Sequence, residues 1–274
     1  MRKILPLLCI CGILFVYDKN KMPSLRRQFA WQRKGFLMFI DPLYIVLVLP
    51  AVLFALFANF MVQSTFNRYA KEHIRYGLTG KEAARKVLDA NGLFHVRIEC
   101  ISGNLTDHYD PRSDVIRLSE GVYHGSSPAA VGVAAHEAGH AIQHATGYFP
   151  IKVRSAIIPV TNLASRLAVP LILIGLLLTA FSEAFVILAE IGIICFSTTA
   201  LFQLVTLPTE FNASRRAIGA IEAETRLTRE EVQGAKKVLT AAAMTYVAAL
   251  AVSLMQLLRL ILLVGRVSGS RRRD

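Results

Sequence analysis

The run Ala135-His136-Glu137-Ala138-Gly139-His140 sets two imidazoles four positions apart, with a carboxylate directly after the first. On a helix, positions i and i+4 share a face, so His136 and His140 can each turn a ring nitrogen toward one metal ion. Glu137 projects from the edge of that face, within reach of a water on the metal but not needed as a ligand. The chemistry that suits this trio is metal-assisted peptide hydrolysis, with one Zn2+ ion as cofactor and Glu137 as the catalytic base. The motif by itself leaves one alternative open, a helix that carries two surface histidines by coincidence.

A catalytic zinc takes three protein ligands and keeps a fourth position for water. His144 continues the i+4 series, but two helical turns, about 12 Å, separate it from His136, too far for a shared ion. A third histidine ten positions after His136, as in metzincins, would fall on Thr146. Glu210 is the better candidate, because the chain between His140 and Glu210 reads as two membrane crossings and both residues then emerge on the same side. Spacing alone also allows a solvated glutamate at a helix start. His136 and His140 are thus the expected ligands, with Glu210 the candidate for the third and the solvated glutamate left open by spacing. An oxyanion partner is needed as well, and His108, Tyr109, His124 and Arg215 are candidates of equal standing.

These residues need elements to hold them, and composition says what kind. Hydrophobic residues make up 54% of the 274-residue chain and charged residues 18%, with a mean hydropathy of +0.45. That is too apolar for a soluble domain of this length and requires membrane spans. The net charge of +12 would suit nucleic acid, but the Lys and Arg flank apolar runs, where they anchor helices at headgroups. No recognition module or basic-aromatic stripe is present, so the partners expected are the lipid bilayer and a peptide or membrane-protein substrate, with no nucleic acid. Cys9, Cys11, Cys100 and Cys195 have no paired spacing and read as small hydrophobes.

Along the chain, residues 1–37 form an extension: an apolar run over 4–17 with the length of a signal-peptide core, then a basic linker with Arg26, Arg27, Arg33 and Lys34. It is either an added anchor or sequence upstream of a start at Met38. Residues 38–75 hold the first transmembrane helix, apolar over 43–61, and a polar extension. Residues 76–150 read as a small soluble zinc-binding domain. In it Thr79 caps a helix ending at Asn91-Gly92, residues 96–101 alternate as a strand, and residues 104–113 are rich in turn formers. Residues 115–118 offer a second strand, an edge that could hold an extended peptide. Ser127 and Pro128 open the helix that carries the histidines and stops near Gly147. Gly132 and Gly139 weaken that helix and imply close packing or close substrate approach.

Residues 151–207 read as a transmembrane hairpin broken at Ser182-Glu183, with Glu190 either functional inside the second span or at the interface. Residues 208–239 are a polar helical segment with the third ligand, in which Thr228 and Glu231 make a capping box. Residues 240–274 are the last span and a basic tail. The fold class expected is a mainly α membrane protein, multi-pass in the cell membrane, with about four transmembrane helices and a small α+β zinc domain.

Leu105-Thr106-Asp107-His108-Tyr109-Asp110-Pro111-Arg112, Leu118-Ser119-Glu120-Gly121-Val122-Tyr123-His124 and residues 133–144 resemble the bacterial neutral zinc metallopeptidases, the YugP-like membrane proteases. So does Phe202-Gln203-Leu204-Val205-Thr206-Leu207-Pro208 leading into Glu210-Phe211-Asn212-Ala213-Ser214-Arg215-Arg216-Ala217. The resemblance runs from about Met38 to the C-terminus. It implies a membrane metalloendopeptidase of gluzincin type, with His136 and His140 as ligands, Glu137 as general base and Glu210 as third ligand. Two departures stand out. The first 37 residues lie outside the pattern, and Ser214 occupies the place where related gluzincins often carry an acidic residue that orients a ligand histidine, a role Asp107 or Asp110 could take. The rival from another class is a non-catalytic membrane scaffold or metal carrier, which has no use for Glu137. The side that the site faces depends on the start, since the extension's basic residues favour an external site and their loss a cytoplasmic one.

Overall fold

The computed structural model describes residues 41–270. The extension expected over residues 1–37 and the arginines of the C-terminal tail lie outside the described residues. A π-helical turn (Tyr44–Val48) leads into α1 (Leu49–Tyr69), followed by α2 (Gly80–Ala90), β1 (Arg97–Ile101), β2 (His108–Asp110), β3 (Val115–Ser119) and the short α3 (Glu120–Tyr123). Then come α4 (Pro128–Ala145), α5 (Phe149–Leu178), a 3-10 turn (Glu183–Phe185), α6 (Val186–Glu224) and α7 (Arg229–Ser270). Among the described residues four helical stretches are long and apolar enough to cross a membrane: Tyr44–Tyr69, Phe149–Leu178, Glu183–Glu224 and Arg229–Arg266. The protein is mostly helical, with one small mixed sheet.

Helix starts follow local chemistry. Thr79 and Glu82 form a reciprocal capping box at α2, Ser127 accepts from Ala130 N–H with Pro128 at the first turn of α4, and Thr228 pairs with Glu231 before α7. Gly92 and Gly147, with φ of +72° and +63°, close α2 and α4 in the left-handed conformation. The long helices overrun the boundaries expected from hydropathy. α5 begins at Phe149, well before the apolar stretch, and α6 continues through Pro208 without a break. One proline removes a single hydrogen bond, which flanking packing tolerates, so membrane-crossing and polar parts of α6 are one rod.

The sheet order is β1-β3-β2, with β1 parallel and β2 antiparallel to β3. β3 is therefore central and bonded on both sides. It cannot be the peptide-holding edge suggested for residues 115–118; the edge on the α4 side is β2, three residues hidden in the turn-rich stretch 104–113.

α4 lies at the centre of the core. Val131, Ala134, Ala135, Ala138, Ala141 and Ile142 pack against Val87 and Leu88 of α2, Ile116 and Leu118 of β3, Ala217 and Ile221 of α6 and Ala235 and Leu239 of α7. Its small side chains let neighbouring backbones approach closely: a Cβ on Gly132 would meet the Ala235 Cβ at 3.1 Å, and one on Gly139 the Ala213 carbonyl oxygen at 2.6 Å. Of the two readings of these glycines, tight helix crossing is the one realised. The α5–α6 hairpin uses the same device, with Gly175 against the Ala189 nitrogen and Gly192 against Ala168 and Ile172.

At the opposite end of α1 from the sheet, Asp41 accepts from Tyr44 N–H at 2.7 Å and pairs with Arg259 of α7 at 2.9 Å. Arg259 is 5% exposed and also lies over the Tyr44 ring. This ties the first span to the last. Asp41→Ala removes the cap and the counter-charge of a buried guanidinium, so we expect a loss of about 3 kcal/mol, more than for Arg259→Leu. Thermal unfolding of the two variants in detergent measures the difference.

Candidate metal centre

His136 and His140 project from one face of α4, with ring centroids 4.7 Å apart at an interplanar angle of 80°. Glu210, 2% exposed, reaches them from α6. Its Oε2 lies 3.3 Å from His136 Nε2 and 3.6 Å from His140 Nε2. One donor atom from each of the three residues falls within 4.8 Å of the others, the one such group among the described residues. The spacing suits an ion: a tetrahedral zinc with bonds of about 2.0–2.1 Å sets its donor atoms about 3.4 Å apart. Direct N–H···O bonds cluster nearer about 2.9 Å. The donor set, two imidazoles and a carboxylate, is that of hydrolytic zinc sites.

Burial favours the neutral form of His140, but the Glu210 carboxylate beside it, through charge and hydrogen bonding, outweighs that and raises its pKa above the ordinary histidine value. The pocket thus attracts positive charge. Each ring's other nitrogen is also engaged. His136 Nδ1 lies 3.2 Å from Ser214 Oγ, and His140 Nδ1 lies 3.0 Å from Gln143 Oε1.

Glu137 is 4% exposed, and its Oε2 accepts the Tyr109 backbone N–H of β2 at 3.0 Å. β2 is held in turn by its flanks. Asp107 accepts from Ser119 N–H at 2.7 Å, and burial, offset in part by these hydrogen bonds, raises its pKa. Asp110 accepts from Arg117, Ser113 and Arg112 N–H, with Arg117 the main cause of a carboxyl held far below its usual range. The acidic pair considered as histidine orienters therefore braces the edge strand, and Ser214 itself contacts His136.

The oxyanion candidates do not gather at the cluster. His108 Nδ1 meets the Thr106 carbonyl oxygen, Tyr109 OH donates to Asp114, His124 meets the Tyr123 ring edge-on, and Arg215 lies on the exposed side of α6. Two residues not singled out in the sequence come closer. Arg154 Nη1 of α5 stands 3.6 Å from Glu210 Oε1, and Tyr246 of α7 brings its hydroxyl to the neighbourhood of Glu210. Their only sequence signals were an arginine just before an apolar run and a lone tyrosine within one. His144 packs its ring against Tyr109 and takes no part in the cluster. Glu190 is exposed on α6, about 30 Å along the rod from Glu210.

Residues 44–265 match the family model described as "Putative neutral zinc metallopeptidase". The chain belongs to this family. It is 48% identical over 221 residues, 81% of this chain and 96% of the relative, to the protein named "Putative membrane protease YugP" of Bacillus subtilis (strain 168). No solved structure matches. With its four long apolar helices the chain is a multi-pass membrane protein of that family.

Because Gly139 leaves no room against the Ala213 carbonyl, Gly139→Ala should push α4 and α6 apart at the cluster. The expected result is about 1–3 kcal/mol lower stability together with weaker zinc binding, read by thermal unfolding and metal content.

Proposed function

We propose that this protein is a zinc-dependent endopeptidase of gluzincin type, embedded in the membrane, that cleaves peptide or membrane-protein substrates. The observation that carries the reading is that Glu210 Oε2 lies 3.3 and 3.6 Å from His136 Nε2 and His140 Nε2, the three residues grouping donor atoms within 4.8 Å, with Glu137 held beside them. Zinc bound to these three residues supplies a Lewis acid and lowers the pKa of a water toward about 7.

The protein's own groups do the rest. Glu137, positioned by the Tyr109 N–H, accepts the proton of the attacking water and returns it to the departing amine nitrogen. Arg154 and Tyr246 provide positive charge and a hydroxyl donor where the scissile carbonyl oxygen gains negative charge. A metal carrier needs no buried carboxylate of this kind next to its ligands, so the geometry of Glu137 favours an enzyme.

Two substitutions separate these roles. Glu137→Gln should retain zinc while cleavage of a casein or membrane-protein reporter falls by at least about 100-fold; undiminished cleavage would remove Glu137 from the mechanism. Glu210→Ala should lose zinc, and full occupancy of the purified variant would exclude Glu210 as a ligand.

A further inference from the structure

The two histidines are supported differently. Ser214, beside His136, carries a hydroxyl that can donate or accept, so it leaves the tautomer of that ring open. His140 faces a chain of groups whose hydrogen-bond polarity is fixed at its far ends. Arg216 Nε, which can only donate, bonds Asn212 Oδ1 at 2.9 Å. Gln143 Nε2 donates to that same oxygen at 3.0 Å and to the Thr209 backbone carbonyl, which can only accept, at 2.8 Å. Gln143 is fully buried, so no water can replace a partner lost by turning its amide over. A flipped amide would set its oxygen against two other oxygens. Oε1 must therefore face His140, and His140 Nδ1 must be the donor.

We infer that Arg216, Asn212 and Gln143 form a polarity relay that locks His140 as its Nδ1–H tautomer and so leaves Nε2, the nitrogen on the Glu210 side, free to bind a metal ion. The three are positioning residues. Asn212, Arg216 and the Thr209 carbonyl all belong to α6, which also supplies Glu210 and Ser214. One helix thus brings the third ligand and sets the state of the second. Arg216 further lies over the Tyr148 ring at the entry to α5, which links the relay to the start of the membrane hairpin.

This inference rests on the metal site proposed above, and its test separates the two. Zinc affinity is measured by chelator competition on the full chain in detergent for wild type, Glu210→Ala, Gln143→Met, Asn212→Asp and Ser214→Ala, alongside thermal midpoints. Gln143→Met, which removes the acceptor at similar volume, should weaken zinc binding about 10- to 100-fold. Asn212→Asp preserves an acceptor toward Arg216 and Gln143 and should stay within about threefold of wild type, and Ser214→Ala should lose less than Gln143→Met.

Zinc affinity unchanged in folded Gln143→Met, or lost equally in Asn212→Asp, overturns the relay; zinc retained by Glu210→Ala overturns the site instead. If Gln143→Met does not fold, 15N NMR of histidine-labelled, zinc-loaded wild type decides. A proton on His140 Nδ1 supports the relay, and an unprotonated Nδ1 overturns it.

Discussion

The constraint on which the structure depends is the contact of α4 with α6 at Gly139, where one backbone meets the Ala213 carbonyl with no room for a methyl group. A glutamate has a short side chain, so its carboxylate reaches two histidines on another helix only if the helix axes nearly touch. Glycine and alanine on the facing surfaces allow that approach, and the buried alanines of α4 extend it toward α7. The cost in helix propensity of Gly132 and Gly139 is about 1 kcal/mol each, and the packing of the surrounding core offsets it.

This crossing makes the proposed centre a joint product of the sheet-bearing region and the membrane helices. α4 brings His136, Glu137 and His140, the edge strand β2 fixes Glu137, and α6, α5 and α7 contribute Glu210, Arg154 and Tyr246. Because α6 continues unbroken from its membrane-crossing portion through Pro208, its position in the bilayer and its position against α4 are mechanically one. The Asp41–Arg259 pair fastens the first span to the last, and the carboxylate at 2.9 Å offsets part of the cost of removing the guanidinium from solvent.

Much of the fold was legible in local pattern. The caps at Thr79, Ser127 and Thr228, the stops at Gly92 and Gly147, the strands around residues 97–101 and 115–119 and four apolar spans all follow from short-range chemistry, which a linear reading can see. Helix ends were less legible. Hydropathy marks where lipid-facing residues begin, whereas hydrogen-bonded helix continues as long as something packs beside it, so α5 starts early and α6 does not pause at a proline. β2 was missed because three residues among turn formers carry no periodicity, and with it went the correct edge of the sheet.

The sequence by itself supplied the candidate chemistry: two histidines on one helical face with a glutamate at its edge, and an apolar hairpin whose count of crossings returns Glu210 to the same side. These depend on helical periodicity and on counting crossings, both properties of the chain read in order. Tertiary structure alone decided which polar groups surround that trio. Arg154, Tyr246, Ser214 and the Gln143–Asn212–Arg216 chain come from helices whose relative rotation is set by glycine and alanine contacts such as Gly139 against Ala213, which spacing in the sequence does not reveal. Asp107 and Asp110, considered as orienters of a ligand histidine, bond instead to Ser119 and Arg117. Hydrogen-bond partners are chosen by distance in space after the core has packed, and no spacing in the sequence encodes that distance.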